Sequence, residues 1–145
     1  MRDDGLSIRR VPAGESPARD LLAAMEAELV ELYGFDTIGD TPSATPRDFS
    51  VRGSGFLVLH RDDRAIACGG IKAIGPALGE IKRMYVVPEE RSRGHARRLL
   101  VALEDAAREL GHARVRLDTG SSQPHALALY LSAGYREIPD YNGNV

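Results

Sequence analysis

The residues best suited to chemistry lie in one short run, Arg91, Ser92, Arg93, Gly94, His95, Ala96 and Arg97, which follows an apolar stretch ending Met84, Tyr85, Val86, Val87 and Pro88. Gly94 and Ala96 lack bulk and let the backbone approach a ligand closely, while Arg91 and Arg93 can add charge-assisted hydrogen bonds to an anion. If a helix starts here, its first unpaired N–H groups and the positive end of its dipole converge on the same point. Phosphate and pyrophosphate oxygens are the ligands that such a place favours. No Gly-Lys-Ser or Gly-Lys-Thr ends the run, so it is not a P-loop, and without three spaced glycines in an early βαβ unit it is not the dinucleotide fingerprint either. The histidines, His60, His95, His112 and His125, show no metal-ligand spacing, so no metal is implied. Cys68 sits in an apolar run before Gly69 and Gly70 and reads as a small core residue rather than a nucleophile.

The run can work only if elements on either side hold it. After it, Ala96, Leu99, Leu100, Leu103, Ala107 and Leu110 recur at helical spacing with Arg97, Glu104, Asp105 and Arg108 opposite them, which predicts an amphipathic helix from Arg93 to Leu110 with Gly111 as terminator. Before it, Gly79 to Val87 reads as a strand stopped by Pro88. Two apolar runs, Phe56 to His60 and Arg64 to Ile74, flank Arg61, Asp62 and Asp63 and predict an antiparallel hairpin. Nearer the start, Leu6 to Val11 is a short edge strand, and Ser16 with Pro17 opens a helix to Tyr33 whose stripe is Leu21, Met25, Leu29 and Leu32. Phe35 to Gly55 is a long connection of the kind that often carries function. Beyond Gly111 come a strand with Val115, Leu117 and Thr119 on one face, a short helix opened by Pro124 and closed by Gly134, and a last strand from Tyr135 to Ile138. The order is β-α-β-β-β-α-β-α-β, an α/β mixed sheet, antiparallel early, with a strand-helix-strand crossover in the middle.

Composition narrows the class. A chain of 145 residues with 43% hydrophobic and 28% charged residues has the makeup of one globular domain, residues 1–145. No apolar run is long enough to span a bilayer, and the first residues carry Arg2, Asp3 and Asp4 with no signal-like core, so no membrane partner and a cytoplasmic address are expected. A single cysteine fits a reducing compartment. The net charge of -2 offers no basic field for nucleic acid, and the local arginine cluster suits a small anion.

Arg91, Gly94 and Ala96, placed after a strand and proline and before an amphipathic helix, resemble the acetyl-CoA motif of the GNAT superfamily, in which Arg or Gln is followed by two residues, Gly, one residue, and Gly or Ala. A second block, Gln123, Pro124, His125, Ala126, Leu127, Ala128, Leu129 and Tyr130, then Gly134 and Tyr135, resembles that family's other stretch, with Gln123 where Asn is usual. The resemblance implies an acetyl-CoA-dependent N-acetyltransferase acting on an amine of a small molecule or peptide. It implies a GNAT-like fold with a splayed central parallel strand pair and helices on both faces. Pantetheine would pair with the backbone of Met84, Tyr85 and Val86, the pyrophosphate would rest on Ser92 to Arg97, and Gln123 would reach the pantetheine arm. Tyr130 would be the acid for the departing thiolate, and Glu80 stands where some members keep a carboxylate base. Lys82 shares a strand face with Glu80, so an ion pair with Lys82 or Arg83 is an equal reading of that carboxylate. Asp118 and the acids Glu26, Glu28 and Glu31 are further candidates, with a solvated helix face as their simpler role. The acceptor pocket would come from the first helix and the connection after it. The family's seventh strand has no residues here after Ile138, so either the chain is truncated or the edge is covered otherwise, for instance by a second copy in a homodimer.

Overall fold

The structure is a computed structural model and describes residues 5–33, 46–117 and 129–135. Among the described residues, five strands form one sheet in the order β1 (Leu6–Arg10), β2 (Gly55–Arg61), β3 (Arg64–Gly75), β4 (Leu78–Val86) and β5 (Arg114–Leu117). Neighbours are antiparallel up to β4, and β4 pairs with β5 in parallel. Among the described residues, α1 (Ala18–Tyr33) and α2 (His95–Glu109) cover the sheet, with 3-10 turns at Pro46–Ser50 and Pro88–Glu90 and a helical stretch at 129–132.

Alternation along β2 divides the core between the two faces. Leu57 and Leu59 point to one side, where they meet Ile71, Ile81 and the α2 stripe of Leu99, Leu100, Leu103, Ala106 and Ala107. Phe56 and Val58 point to the other, against Ala18 and Leu21 of α1, Cys68, and Phe49 from the 3-10 turn. Each fully buried leucine of the α2 stripe contributes about 1.5–3 kcal/mol, so the face that carries the strongest sequence signal also anchors its helix most firmly. The connection read as a long loop therefore carries one helical turn that seals the α1 face.

Boundaries moved for local reasons. α2 starts at His95 rather than Arg93, because Ser92 and Gly94 have φ of 65° and 84°, outside any right-handed helix. β1 ends at Arg10, although Val11 still donates to the Phe56 carbonyl at 2.9 Å. The side chains of Leu29 and Leu32, Asp118, most of the block from Gln123, and the strand expected after Tyr135 lie outside the described residues.

One irregularity shapes the site. Cys68 stands opposite Tyr85 and Gly70 opposite Lys82, so Arg83 and Met84 together face the single residue Gly69. This is a β-bulge, with Arg83 at φ 63°. Gly69 makes room for it: a Cβ there would lie 2.8 Å from Leu103 Cδ1 and 3.1 Å from Met84 Cγ. The parallel ladder runs from Leu78↔Arg114 to Ile81↔Leu117, the last described residue of β5. The splay expected between this parallel pair falls beyond Leu117 and lies outside the described residues.

Candidate functional site

β4 leads directly into the loop. Val87 donates to the Ile66 carbonyl at 2.9 Å, Pro88–Glu90 makes a 3-10 turn, and Arg91 donates back to the Pro88 carbonyl at 3.3 Å. The chain then passes through the left-handed Ser92 and Gly94 into α2, whose cap residue Gly94 offers no side chain and whose first turn holds no acid. The first intrahelical bond is Arg98 N–H to the Gly94 carbonyl, so the amides of His95, Ala96 and Arg97 precede the helical ladder and are free to serve an anion. A Cβ built on Gly94 meets nothing within 4 Å. Both features suit a pyrophosphate held by backbone N–H groups.

The side chains around this loop divide in ways that spacing did not reveal. Arg91 donates to Glu28 of α1 at 2.8 Å and to the Val86 carbonyl at 2.8 Å, and its guanidinium lies 5.5 Å from the centroid of the Tyr85 ring. It ties the end of β4 to α1. The Tyr85 phenol lies 3.5 Å from the same Glu28 oxygen, and burial followed by that carboxylate pushes its pKa up. Arg93 is exposed apart from a 3.6 Å pair with Glu90. Arg97 donates to the Ser132 hydroxyl at 2.6 Å and so fastens the first turn of α2 to residues 129–132. The His95 side chain is only 4% exposed and turns inward, leaving its backbone as the part that can face a ligand.

Tyr130 lies beside Met84 of β4. Its ring belongs to the α2-side core, 6.0 Å from the Tyr135 ring, and its hydroxyl donates to Met84 Sδ at 3.5 Å. Burial pushes its pKa up to about 12, so the phenol keeps its proton throughout the physiological range. A phenol that keeps its proton is suited to protonate a leaving thiolate.

Glu80 is buried on β4 with Lys82 Nζ 3.7 Å from one carboxylate oxygen and Arg116 Nε 3.5 Å from the other. The first pairing follows from strand alternation, whereas the second exists because β4 and β5 run in parallel register with Glu80 beside Arg116. Burial pushes the Arg83 pKa down, and the nearby acids Glu26 and Asp48 oppose this in part. Cys68 is buried, its thiol pushed up to about 12, as suits a core residue. Sequence reasoning missed Glu90 and Arg61 altogether. Glu90 is buried, and the hydrogen bond from Arg61 is the main influence holding its carboxyl below the usual range. The signal available was an acid next to the motif arginine, indistinguishable in sequence from its exposed neighbour Glu89. Gln123, the remaining member of the expected set, lies outside the described residues.

Residues 20–135 match the model of the acetyltransferase (GNAT) family. This chain belongs to that family. The GNAT chain is 34% identical over 131 residues to the IAA acetyltransferase of Azospirillum brasilense, covering 86% of itself and 83% of that protein. It is 30% identical over 143 residues to the uncharacterized N-acetyltransferase YjgM of Escherichia coli (strain K12), covering 92% and 83%. Among solved structures, a Klebsiella pneumoniae protein named for acyl-CoA N-acyltransfer superposes with a TM-score of 0.74 at 27% identity, over 97% of this chain and 92% of that one. A GNAT acetyltransferase from Elizabethkingia anophelis, solved with acetyl-CoA bound, shares the fold with a TM-score of 0.68 at 21% identity, over 94% and 79%. The mixed sheet with its helices is thus the fold of a GNAT acetyltransferase. None of the described helices is long and apolar enough to cross a membrane.

Proposed function

We propose that this chain transfers an acetyl group from acetyl-CoA to a primary amine of a small molecule or peptide. The observation that carries this reading is the uncapped, acid-free start of α2 fed directly by β4, with the protonated Tyr130 phenol beside Met84 of that strand. When bound, acetyl-CoA supplies the activated thioester. Amides of Ser92 to Arg97 would hold its pyrophosphate, the backbone of Met84 to Val86 would orient the pantetheine, and Tyr130 would hold the proton that the departing sulfur takes. The cytoplasm is the proposed setting, in keeping with the free thiol of Cys68.

Release of free thiol from acetyl-CoA across a panel of primary amines tests this. Thiol is expected to appear in proportion to one added amine class. CoA binding with no amine-dependent release across the panel would instead mark a noncatalytic acyl-CoA-binding module.

Glu80 is proposed as the proton acceptor for the attacking amine, directly or through a water, with Lys82 and Arg116 fixing its orientation. The two ion pairs also support a second reading in which the carboxylate only joins β4 to β5. Glu80→Gln separates the two. As a base, Glu80 is required for kcat, which is expected to fall about 10²-fold or more with melting temperature little changed. As an ion-pair hub, its loss lowers the melting temperature and spares kcat of the folded enzyme, because a buried pair broken on one side leaves charge uncompensated.

A further inference from the structure

We propose that Glu90, Arg61 and His95 form a buried clamp that sets the pose of loop 91–94 and thereby the enzyme's affinity for the pyrophosphate of acyl-CoA. This rests on the acyl-CoA reading above and assigns positioning residues to the same site.

The geometry is that of a staple. Glu90 immediately precedes the loop and His95 immediately follows it, and the two side chains meet with His95 Nε2 3.1 Å from Glu90 Oε1. Between them lie four residues, two of them with left-handed backbone, so the pair closes a short loop at its base. Arg61, the last residue of β2, donates to the same Oε1 at 3.1 Å and fastens the staple to the sheet. Arg93, within the loop, adds a longer pair at 3.6 Å.

Hydrogen-bond roles follow from chemistry. A carboxylate only accepts, so His95 Nε2 carries the proton and donates. The 3.4 Å approach of Arg61 Nη2 to His95 Nε2 is then two donors side by side, both directed at one oxygen. Glu90 and His95 side chains are 7% and 4% exposed, and His95 Nδ1 is buried without a hydrogen-bond partner among the described residues.

Burying these groups costs free energy that an apolar pair at the same positions would avoid, and the rest of the inward α2 stripe is apolar. A polar staple does what apolar packing cannot: it defines the orientation of both loop ends by directed bonds. That orientation decides where the amides of Ser92 to Arg97 point, and backbone donors displaced by about 1 Å lose much of their hold on an anion.

The test compares two ligands that differ in the group the loop would hold. CoA carries the pyrophosphate, and pantetheine shares its thiol arm without it. Kd for each is measured by titration calorimetry and ligand-observed NMR on wild type, Glu90→Gln, Arg61→Gln and the double variant Glu90→Leu/His95→Leu, whose apolar pair preserves packing. Loss of the clamp is expected to weaken CoA about tenfold or more and to leave pantetheine within about twofold. Equal weakening of both ligands, or no weakening of CoA in any variant that melts cooperatively, overturns the clamp while leaving the acyl-CoA reading intact. If wild type itself shows no preference for CoA over pantetheine, the acyl-CoA reading falls and the clamp with it. Should Glu90→Gln fail to fold, Arg61→Gln decides, since Arg61 is half-buried and its loss leaves the Glu90–His95 bond in place.

Discussion

Tyr130→Phe is expected to lower kcat by about 10²-fold or more while leaving KM for acetyl-CoA within a few-fold of wild type. The substitution removes one oxygen. The ring keeps its place in the α2-side core and its 6.0 Å contact with Tyr135, and the only hydrogen bond lost among the described residues is the one to Met84 Sδ. A thioether is a weak acceptor, so stability should change by less than about 1 kcal/mol, seen as a nearly unmoved melting curve. The effect then falls on the leaving thiolate, which loses its proton source. The pH dependence carries the sign. Burial stabilises the neutral phenol and raises its pKa to about 12, so Tyr130 stays protonated as pH rises through 10. An alkaline limb in the wild-type profile below that range must belong to another group, and the same limb should persist in Tyr130→Phe at its reduced rate. Steady-state kinetics across pH on both proteins checks this. Retention of wild-type kcat in Tyr130→Phe would show that the thiolate departs without this acid.

Gly94→Val is the second large effect. Gly94 caps α2 with φ of 84°, a conformation a β-branched residue adopts only at a cost of about 1–3 kcal/mol. The new side chain would also project into space that the protein leaves empty, since a Cβ at this position meets nothing within 4 Å. If that space is where the pyrophosphate lies, the strain appears as a melting temperature lowered by several degrees, and the bulk appears as CoA affinity lowered by about 10²-fold or more. Gly111→Val separates the two contributions. Gly111 has φ of 95° and equally open surroundings but lies just past the other end of α2. It should reproduce the thermal loss and leave CoA binding near wild type. Calorimetric titration with CoA on the three folded proteins reads the difference, and equal loss of affinity in both variants would remove Gly94 from the site.

Several functional residues owe their roles to partners far along the chain. Arg91 meets Glu28, 63 residues away, and Arg61 meets Glu90, 29 residues away. Arg91 is therefore a strut between β4 and α1 in this structure, where spacing alone suggested a ligand-facing arginine. Glu28, read in sequence as part of a solvated acidic face, is the residue that turns it.

What the sequence determined by itself was everything governed by local periodicity and by the backbone limits of single residues. The apolar stripe of α2, the hairpin around Asp62 and the strand running into Pro88 were legible because each signal lies within a few neighbouring positions. The tertiary structure alone decided the bulge that sets Arg83 and Met84 against Gly69, the second cation on Glu80, and the Glu90–His95–Arg61 clamp. Each of these depends on strand register or on which residue another element delivers. A one-residue shift in pairing would move every side chain of β4 to the opposite face. Register is settled by the packing of whole faces, α2 on one side and α1 with the 46–50 turn on the other, and no single stretch of sequence contains it.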